Sequence, residues 1–269
     1  MANINSQNYL RFDDGLGAST TDLPQAYIRE RCQYPFMPII VPGENIAFYI
    51  NTELGYDYGI APTLQIIKGS TVVWTGSPLQ KDVIDIDHYN IFADFAIPAL
   101  ADGIYQFQVL NDASEVVLTS NKLYCMNEDY ENVSSYVEFT NDINLYYVRY
   151  AELNNFYQKF RLRITDLEGP KFEANNESYR SVTSGRYRDL LANLQKFYTF
   201  DCYYFDKDAL DATAVFLDHR TRIINGKEYA FKEGLSNDPI TTVSVVKAQF
   251  QMYDQDFSTI NKCVAVASS

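Results

Sequence analysis

The chain has 269 residues, of which 46% are hydrophobic, and its 22 Lys and Arg against 35 Asp and Glu give a formal net charge of −13. The hydrophobic share is too high for a disordered chain, and the acidic balance argues against a protein that coats nucleic acid. The 2 His leave little scope for His-based catalysis or a His-rich metal site, whereas 22 Tyr and 17 Phe favour β-structure with several faces to bury.

The chain carries no pattern typical of membrane insertion or of export. A transmembrane helix needs about 18 or more consecutive apolar residues, and no such run occurs. The N-terminal residues lack the basic and apolar regions of a signal peptide, so we expect synthesis in a reducing cytosol. The four cysteines lack the C-x-x-C spacing of a zinc site and are predicted to be free packed thiols: Cys32, Cys125, Cys202 and Cys263.

Residues 1–30 are predicted to form an extended N-terminal arm. The segment is rich in Asn, Asp, Gly, Ser and Thr, with scattered apolar residues that include Tyr9, Phe12 and Tyr27. Such a segment buries too little to become ordered alone, so it must pack against its own domain or against a partner. In an assembly the arm would lie over a neighbouring subunit. Deletion of residues 1–25 would then weaken assembly and leave the monomer folded.

Residues 31–125 are predicted to form an Ig-like β-sandwich. Short apolar runs separated by turn residues are typical of this architecture. The predicted strands are 45–50, 63–67, 71–75, 83–87, 91–95, 102–110 and 116–119. A loop that contains Gly69 joins the second strand to the third as a hairpin.

The sequence Asp102-Gly103-Ile104-Tyr105 resembles the tyrosine corner of Ig-like domains. In that motif a Tyr near the start of a late strand hydrogen-bonds back to nearby backbone. An antibody domain has Cys two residues later, where this chain has Phe107, so the pattern indicates a sandwich without a disulfide. Any β-meander with a Gly turn before a Tyr gives the same pattern.

Residues 126–269, which begin with a polar acidic link at 126–133, are predicted to form a second, β-rich α+β domain. Strands are expected at 145–150, 159–164, 196–205 and 243–252, and 185–194 fits either a short helix or a strand pair. One helix is expected near 206–218, with Asp206 as its N-cap. A hairpin over 221–231 is expected to turn at Asn225-Gly226 in a type I′ turn.

The sequence shows no arrangement typical of catalysis. It contains no nucleophile elbow, no phosphate-binding glycine loop and no EF-hand, and its acidic pairs have no defined spacing. His88 and His219 fit structural or surface roles, with His219 placed at the end of the predicted helix. We therefore predict no catalytic, cofactor-binding or metal-binding residues, no cofactor and no enzymatic activity.

An arginine cluster at Arg180, Arg186 and Arg188 is interleaved with Tyr179 and Tyr187. The pattern fits a nucleic-acid patch or a face that pairs with acidic groups of another subunit. The acidic charge of the chain favours the subunit face. The candidate oligomer interface therefore combines the cluster with aromatic residues of the arm: Tyr9, Phe12, Tyr27, Arg180, Arg186 and Arg188.

The segment 179–233 has a distinctive order of elements: a predicted strand, a helix, a His and a hairpin. The residues that carry this order are Tyr179-Arg180, Arg188, Thr199-Phe200-Asp201, Asp208-Ala209-Leu210, Leu217-Asp218-His219 and Ile223 to Tyr229. The segment resembles a C-terminal module in virion structural proteins of tailed phages that infect Bacteroides-type bacteria, including the crAss-like phages. The likeness covers about a fifth of the chain and carries no catalytic residues.

The resemblance implies a structural subunit of a phage neck or tail, a connector or ring component that forms a closed homo-oligomeric ring through β-domain contacts. Its partners would be copies of itself and other neck or tail proteins, without a membrane or sequence-specific nucleic acid. An acidic lumen would allow DNA to pass. Its location would be the virion, after assembly in the host bacterial cytoplasm. A carbohydrate- or receptor-binding β-sandwich remains the alternative, because sugars stack on exposed aromatic rings.

Overall fold

A computed structural model describes residues 10, 12–13, 37–50, 61–84, 89–145, 148–180, 183, 187–205, 207–239 and 246–262. Within these ranges the protein is mainly β, with one α-helix, which confirms the fold class predicted from the sequence. Two hydrophobic cores and a smaller cluster between them hold the strands together.

The first half folds as two packed sheets. One sheet has the strand order β5–β4–β8–β9–β1, and the other contains β6–β7–β3. Alternate side chains of both sheets form the first core, as expected of a sandwich. The strands are β1 Phe12–Asp13, β2 Ile39–Ile40, β3 Asn45–Ile50, β4 Thr63–Lys68, β5 Thr71–Gly76, β6 Leu79–Val83, β7 Tyr89–Ala96, β8 Gly103–Leu110, β9 Val116–Ser120 and β10 Leu123–Cys125.

The corner predicted at Tyr105 is present. The Tyr105 hydroxyl donates a hydrogen bond of 2.8 Å to the carbonyl oxygen of Ala101, four residues upstream. The Tyr105 side chain is buried in the first core, where its neighbour Phe107 stacks with Phe48. The predicted bond back to local backbone therefore fixes the loop at the start of β8.

The second half contains the longest strands and the helix. One sheet has the order β13–β14–β17–β16, while β12, β11 and β15 pair side by side. Helix α1 packs on these sheets over the second core. The elements are β11 Ser135–Thr140, β12 Gln158–Leu162, β13 Ile164–Arg180, β14 Tyr187–Phe205, α1 Lys207–Asp218, β15 Thr221–Ile224, β16 Lys227–Pro239 and β17 Val246–Lys262.

The helix and the hairpin predicted in this half are confirmed. The helix spans Lys207–Asp218, although its predicted N-cap Asp206 lies outside the described residues. The turn between β15 and β16 has φ of 49° at Asn225 and 78° at Gly226, which is the left-handed pair that a type I′ turn requires. The Asn225 side chain also accepts a hydrogen bond from the amide of Tyr136, which ties the turn to β11.

Several predicted strands differ in the structure. Strand β14 begins at Tyr187 and so includes most of the segment 185–194, and β17 spans Val246–Lys262 and not 243–252. The strand predicted at 145–150 is reduced to an isolated bridge between Leu145 and Val148, with 146 and 147 outside the described residues. Its apolar residues fill the cluster between the two cores and do not line a sheet. The strand predicted at 83–87 ends at Val83 and begins at Leu79. The alternation of apolar and polar residues predicted this strand at the wrong position, because Asp82, a charged residue, is buried among hydrogen-bond partners.

The two halves are joined directly through β12. Arg161 pairs with Ile39 of β2, and Lys159 pairs with Ala47 of β3. The Arg161 guanidinium also donates two hydrogen bonds, of 2.7 and 2.5 Å, to the carboxylate of Glu44. Such a bidentate pair fixes direction as well as distance. The strands of both halves therefore form one hydrogen-bonded framework.

Candidate assembly interface

The sheet β13–β14–β17–β16 extends past the second core at one end. Strands β13, β14 and β17 have 17, 19 and 17 residues, or roughly 55–65 Å each at about 3.3 Å per residue. The backbone continues about ten residues beyond Phe197, where the described buried side chains of β14 end. We call this part, residues 171–180, 187–196 and 255–262, the distal sheet.

The same sheet has two open edges in the part of the chain that the structure describes. Strand β13 pairs with β14 on one side only, and β16 pairs with β17 alone from Tyr229 to Pro239. Irregular pairing between Glu168 and Lys171, at Gly169-Pro170, interrupts the β13 edge and leaves 171–177 as its regular part. An open edge presents unpaired backbone groups to any strand that reaches it.

Each open edge carries one exposed phenyl ring. Phe172 on β13 is 55% exposed and Phe231 on β16 is 41% exposed. Phe172 pairs with Lys196 of β14. On the other side of the sheet, Phe231 pairs with Met252 of β17, and Met252 pairs with Tyr198 of β14. Tyr198 and Lys196 are two residues apart on the same strand. Directly paired residues share a face, as do residues two apart, so both rings lie on one face of the sheet.

A buried ion cluster supports the base of the distal sheet on that face. The Asp254 carboxylate lies 3.1 Å from the ammonium of Lys196 and 2.6 Å from that of Lys227. Burial opposes its charge, but the hydrogen bonds from Lys227 and Lys196 outweigh burial and lower the pKa of Asp254. The Lys227 ammonium also lies over the rings of Tyr198 and Tyr229. The cluster therefore links β14, β16 and β17.

The opposite face carries a second link. The Lys232 ammonium lies 3.2 Å from the carboxylate of Glu173 and 3.6 Å from the ring centroid of Phe197. The Tyr253 hydroxyl donates a hydrogen bond of 3.2 Å to the same carboxylate. Together the two clusters connect all four strands, which makes the base of the distal sheet a rigid support.

Two of the three predicted arginine residues lie at the tip of the distal sheet. Arg180 pairs with Tyr187 and Tyr179 pairs with Arg188, which are the last pairs of β13 and β14. The register therefore places Arg180 and Arg188 in successive pairs at the end of these two strands. Arg186, like Tyr9 and Tyr27 of the predicted interface, lies outside the described residues.

Phe12 lies inside the first core. Its side chain is 3% exposed, its ring centroid is 5.2 Å from that of Phe48, and its backbone pairs with Ser120. Leu10 is buried in the same core. The expectation that deletion of residues 1–25 leaves the monomer folded therefore needs correction, because the deletion removes two core side chains. A contact between Phe12 and a neighbouring subunit would require the arm to leave this position.

His219 is fully buried and serves a structural role. Its Nδ1 donates a hydrogen bond of 2.6 Å to the carbonyl of Val215, and its Nε2 accepts one of 2.8 Å from the hydroxyl of Tyr150. Burial lowers the pKa of His219 from 6.5 to about 4, so the ring is neutral. The sequence placed His219 at the helix end but missed Tyr150, which is 69 residues away in sequence. His88 lies outside the described residues.

The described residues form a small cavity and an open surface depression. The cavity lies between the halves, is lined by Ile39, Tyr136 and Arg161 among others, and has a volume of about 10 Å³, room for about one water molecule. The depression has a volume of about 450 Å³ and is lined by residues 127–132. The described part contains no group of three or more His, Cys, Asp or Glu placed to hold a metal ion. It also contains no helix whose length and apolar character would let it cross a membrane.

Comparison with known proteins gives no family assignment. No family model matches the chain, and no curated protein matches it. Among solved structures, one similar chain comes from the crystal structure of Dpr2 Ig1-Ig2 in complex with DIP-Theta Ig1-Ig3. It is 8% identical, and the match covers 85% of this chain and 92% of that chain with a TM-score of 0.16. At that score the likeness carries no argument about fold or function.

Proposed function

We propose that the protein is a structural subunit of a phage virion, a neck or tail component that assembles into a closed homo-oligomeric ring. Its partners are then other copies of this chain and the neighbouring neck or tail proteins, and its location is the virion. The proposal begins from the resemblance of residues 179–233 to virion proteins of tailed phages. That segment includes the β14 part of the distal sheet, helix α1 and the turn of the β15–β16 hairpin.

The observation that carries the proposal is the pair of different open edges on one rigid sheet. A closed ring needs two unlike surfaces on each subunit, so that one surface meets the other on the next copy. Strand β13 provides one edge and β16 the other, and each presents an exposed phenyl ring on the same face. If β13 of one copy lies beside β16 of the next, the sheet continues between subunits and both rings become covered.

The test measures the oligomeric state of the purified full chain and of two matched variants. Phe172→Asp places a charge on the β13 edge, whereas Ile143→Asp places the same charge on a residue that is 64% exposed and lies between β11 and β12, outside the strands of the sheet. We expect ring-sized particles by light scattering and electron microscopy for the wild type and Ile143→Asp, and monomers for Phe172→Asp. A monomeric wild type, or equal assembly of both variants, would contradict the proposal.

One observation favours the alternative of a carbohydrate-binding protein. An exposed aromatic ring on a sheet edge, such as Phe172, offers an apolar surface on which a sugar ring can stack. A glycan array separates the two functions. A ring subunit gives no specific signal, whereas a receptor-binding protein gives signals that disappear in Phe172→Ala.

A further inference from the structure

Residues 148–156 form an irregular segment that lies between the two hydrophobic cores. The segment folds on itself through backbone hydrogen bonds from Leu153 to Arg149 and from Phe156 to Leu153. Its apolar side chains pack with Ala47 and Tyr49 of strand β3 in the small cluster between the cores. The segment therefore lies between the two halves of the molecule and can contact both.

On the side of the first half, Arg149 reaches a buried carboxylate. Its guanidinium donates hydrogen bonds of 3.0 Å to Asp82 and to the carbonyl of Val83. The same carboxylate accepts a bond of 2.6 Å from the Tyr49 hydroxyl, which in turn accepts one from Asn90. A buried charge needs such partners, so Asp82 depends on Arg149.

Tyr150, the next residue, contacts the second half of the molecule. The Tyr150 hydroxyl donates to His219 at the end of helix α1 and accepts a hydrogen bond from the amide of Gln158 on β12. The His219 ring lies 4.4 Å from that of Phe139 in the second core. Two adjacent residues of the segment therefore contact different halves: Arg149 contacts the first half and Tyr150 contacts the second.

A series of aromatic ring contacts also joins the first half to the second half through this segment. The Phe156 ring lies 5.5 Å from that of Phe92 and 6.4 Å from those of Tyr49 and Tyr150. Tyr150 then contacts His219 edge to face. Close-packed rings have few alternative arrangements, so a displacement of one half requires a displacement of the other.

We propose that residues 148–156 act as a clamp that couples the two cores, so that they move and unfold as one unit. Strand β12 connects the two halves through few backbone pairs, one with β2 and one with β3. The clamp adds a partly buried ion pair, a buried Tyr–His hydrogen bond and a series of packed aromatic rings. This inference concerns the single chain and is independent of the proposed ring.

The chain provides its own reporter for the test. Its one Trp is Trp74, which stacks on Phe95 beside the first core, so tryptophan fluorescence follows the first half alone. Far-UV circular dichroism follows the strands and the helix of both halves. Coincidence of the two signals during urea unfolding therefore measures coupling between the cores.

In the wild type we expect coincident transitions. In the double variant Arg149→Gln with Tyr150→Phe, we expect the fluorescence and dichroism midpoints to separate. The conservative Tyr150→Phe alone keeps the ring in place and should separate them less. Arg220→Gln removes an exposed pair with Asp142 near His219 and should leave the midpoints coincident. Separate transitions in the wild type, or coincident transitions in the double variant, would overturn the proposal.

Discussion

At the residue scale, burial determines the state of the ionisable groups at the centre of the molecule. His219 is neutral because desolvation outweighs the nearby charge of Asp218, which favours protonation, while Arg222 opposes protonation. The hydroxyl of Tyr150 faces the ring from the clamp, and burial raises the pKa of that Tyr. Protonation of His219 would place a donor where Nε2 now accepts, and would break the bond from Tyr150.

The first prediction concerns acid stability. The pKa of His219 is about 4 in the folded protein against 6.5 ordinarily, so between these values the unfolded chain binds the additional proton. Stability therefore decreases as the pH falls from about 6.5 to about 4, by about 3 kcal/mol if His219 acts alone. Urea unfolding at a series of pH values measures this decrease. In His219→Gln the slope over the same window should be smaller; an unchanged slope would contradict the assignment.

The second prediction concerns the tyrosine corner. Tyr105→Phe removes the donor of the hydrogen bond to Ala101 and leaves the ring in the first core. We expect a loss of about 1 kcal/mol in the free energy of unfolding, which is the usual value of one intramolecular hydrogen bond. Thermal or urea unfolding followed by Trp74 fluorescence provides the measurement. A loss below about 0.3 kcal/mol would show that water replaces the bond without cost.

At the element scale, sequence patterns predicted those strands that bury one face in a local core. Strand β8 alternates and lies where the pattern places it. Strand β3 also lies at the predicted residues, although both of its faces are buried. Strand β13 was not predicted, because its sequence is polar and contains Gly169-Pro170 in its irregular part. It is held by pairing with β14 and not by an apolar face of its own, and such long-range pairing leaves no periodic signal.

The third prediction tests the hairpin that continues into the long sheet. Gly226 has a φ of 78° in the type I′ turn, and a Cβ there meets no atom within 4 Å, so only the backbone conformation opposes a side chain. Gly226→Ala should cost about 1 kcal/mol of stability, as expected for a left-handed residue. Calorimetry measures the cost. A neutral effect would indicate that the turn adopts another type.

At the scale of the whole molecule, the sequence indicated two β-rich parts but not how they are connected. The contacts of Arg161 with Glu44 and of Tyr150 with His219 join residues 117 and 69 positions apart. Neither pair leaves a local pattern in the sequence. Of the candidate interface, Arg180 and Arg188 lie at the end of two long strands, and their role in assembly stays a prediction. The open edges with Phe172 and Phe231 became visible only from the strand pairing.

In the proposed assembly, the β13 edge of one copy meets the β16 edge of the next. With 35 acidic against 22 basic residues, the free subunit is expected to repel its copies at low salt, so assembly should strengthen as salt screens this charge. Light scattering across a salt series measures the effect. A ring held mainly by ion pairs would instead weaken with salt.

Electron microscopy of the purified full chain, at a resolution that traces strands, tests the proposed ring most directly. We expect closed rings in which β13 of each copy lies beside β16 of the next, with Phe172 and Phe231 covered at every contact. Particles that remain monomeric, or symmetric dimers that join two β13 edges, would contradict it.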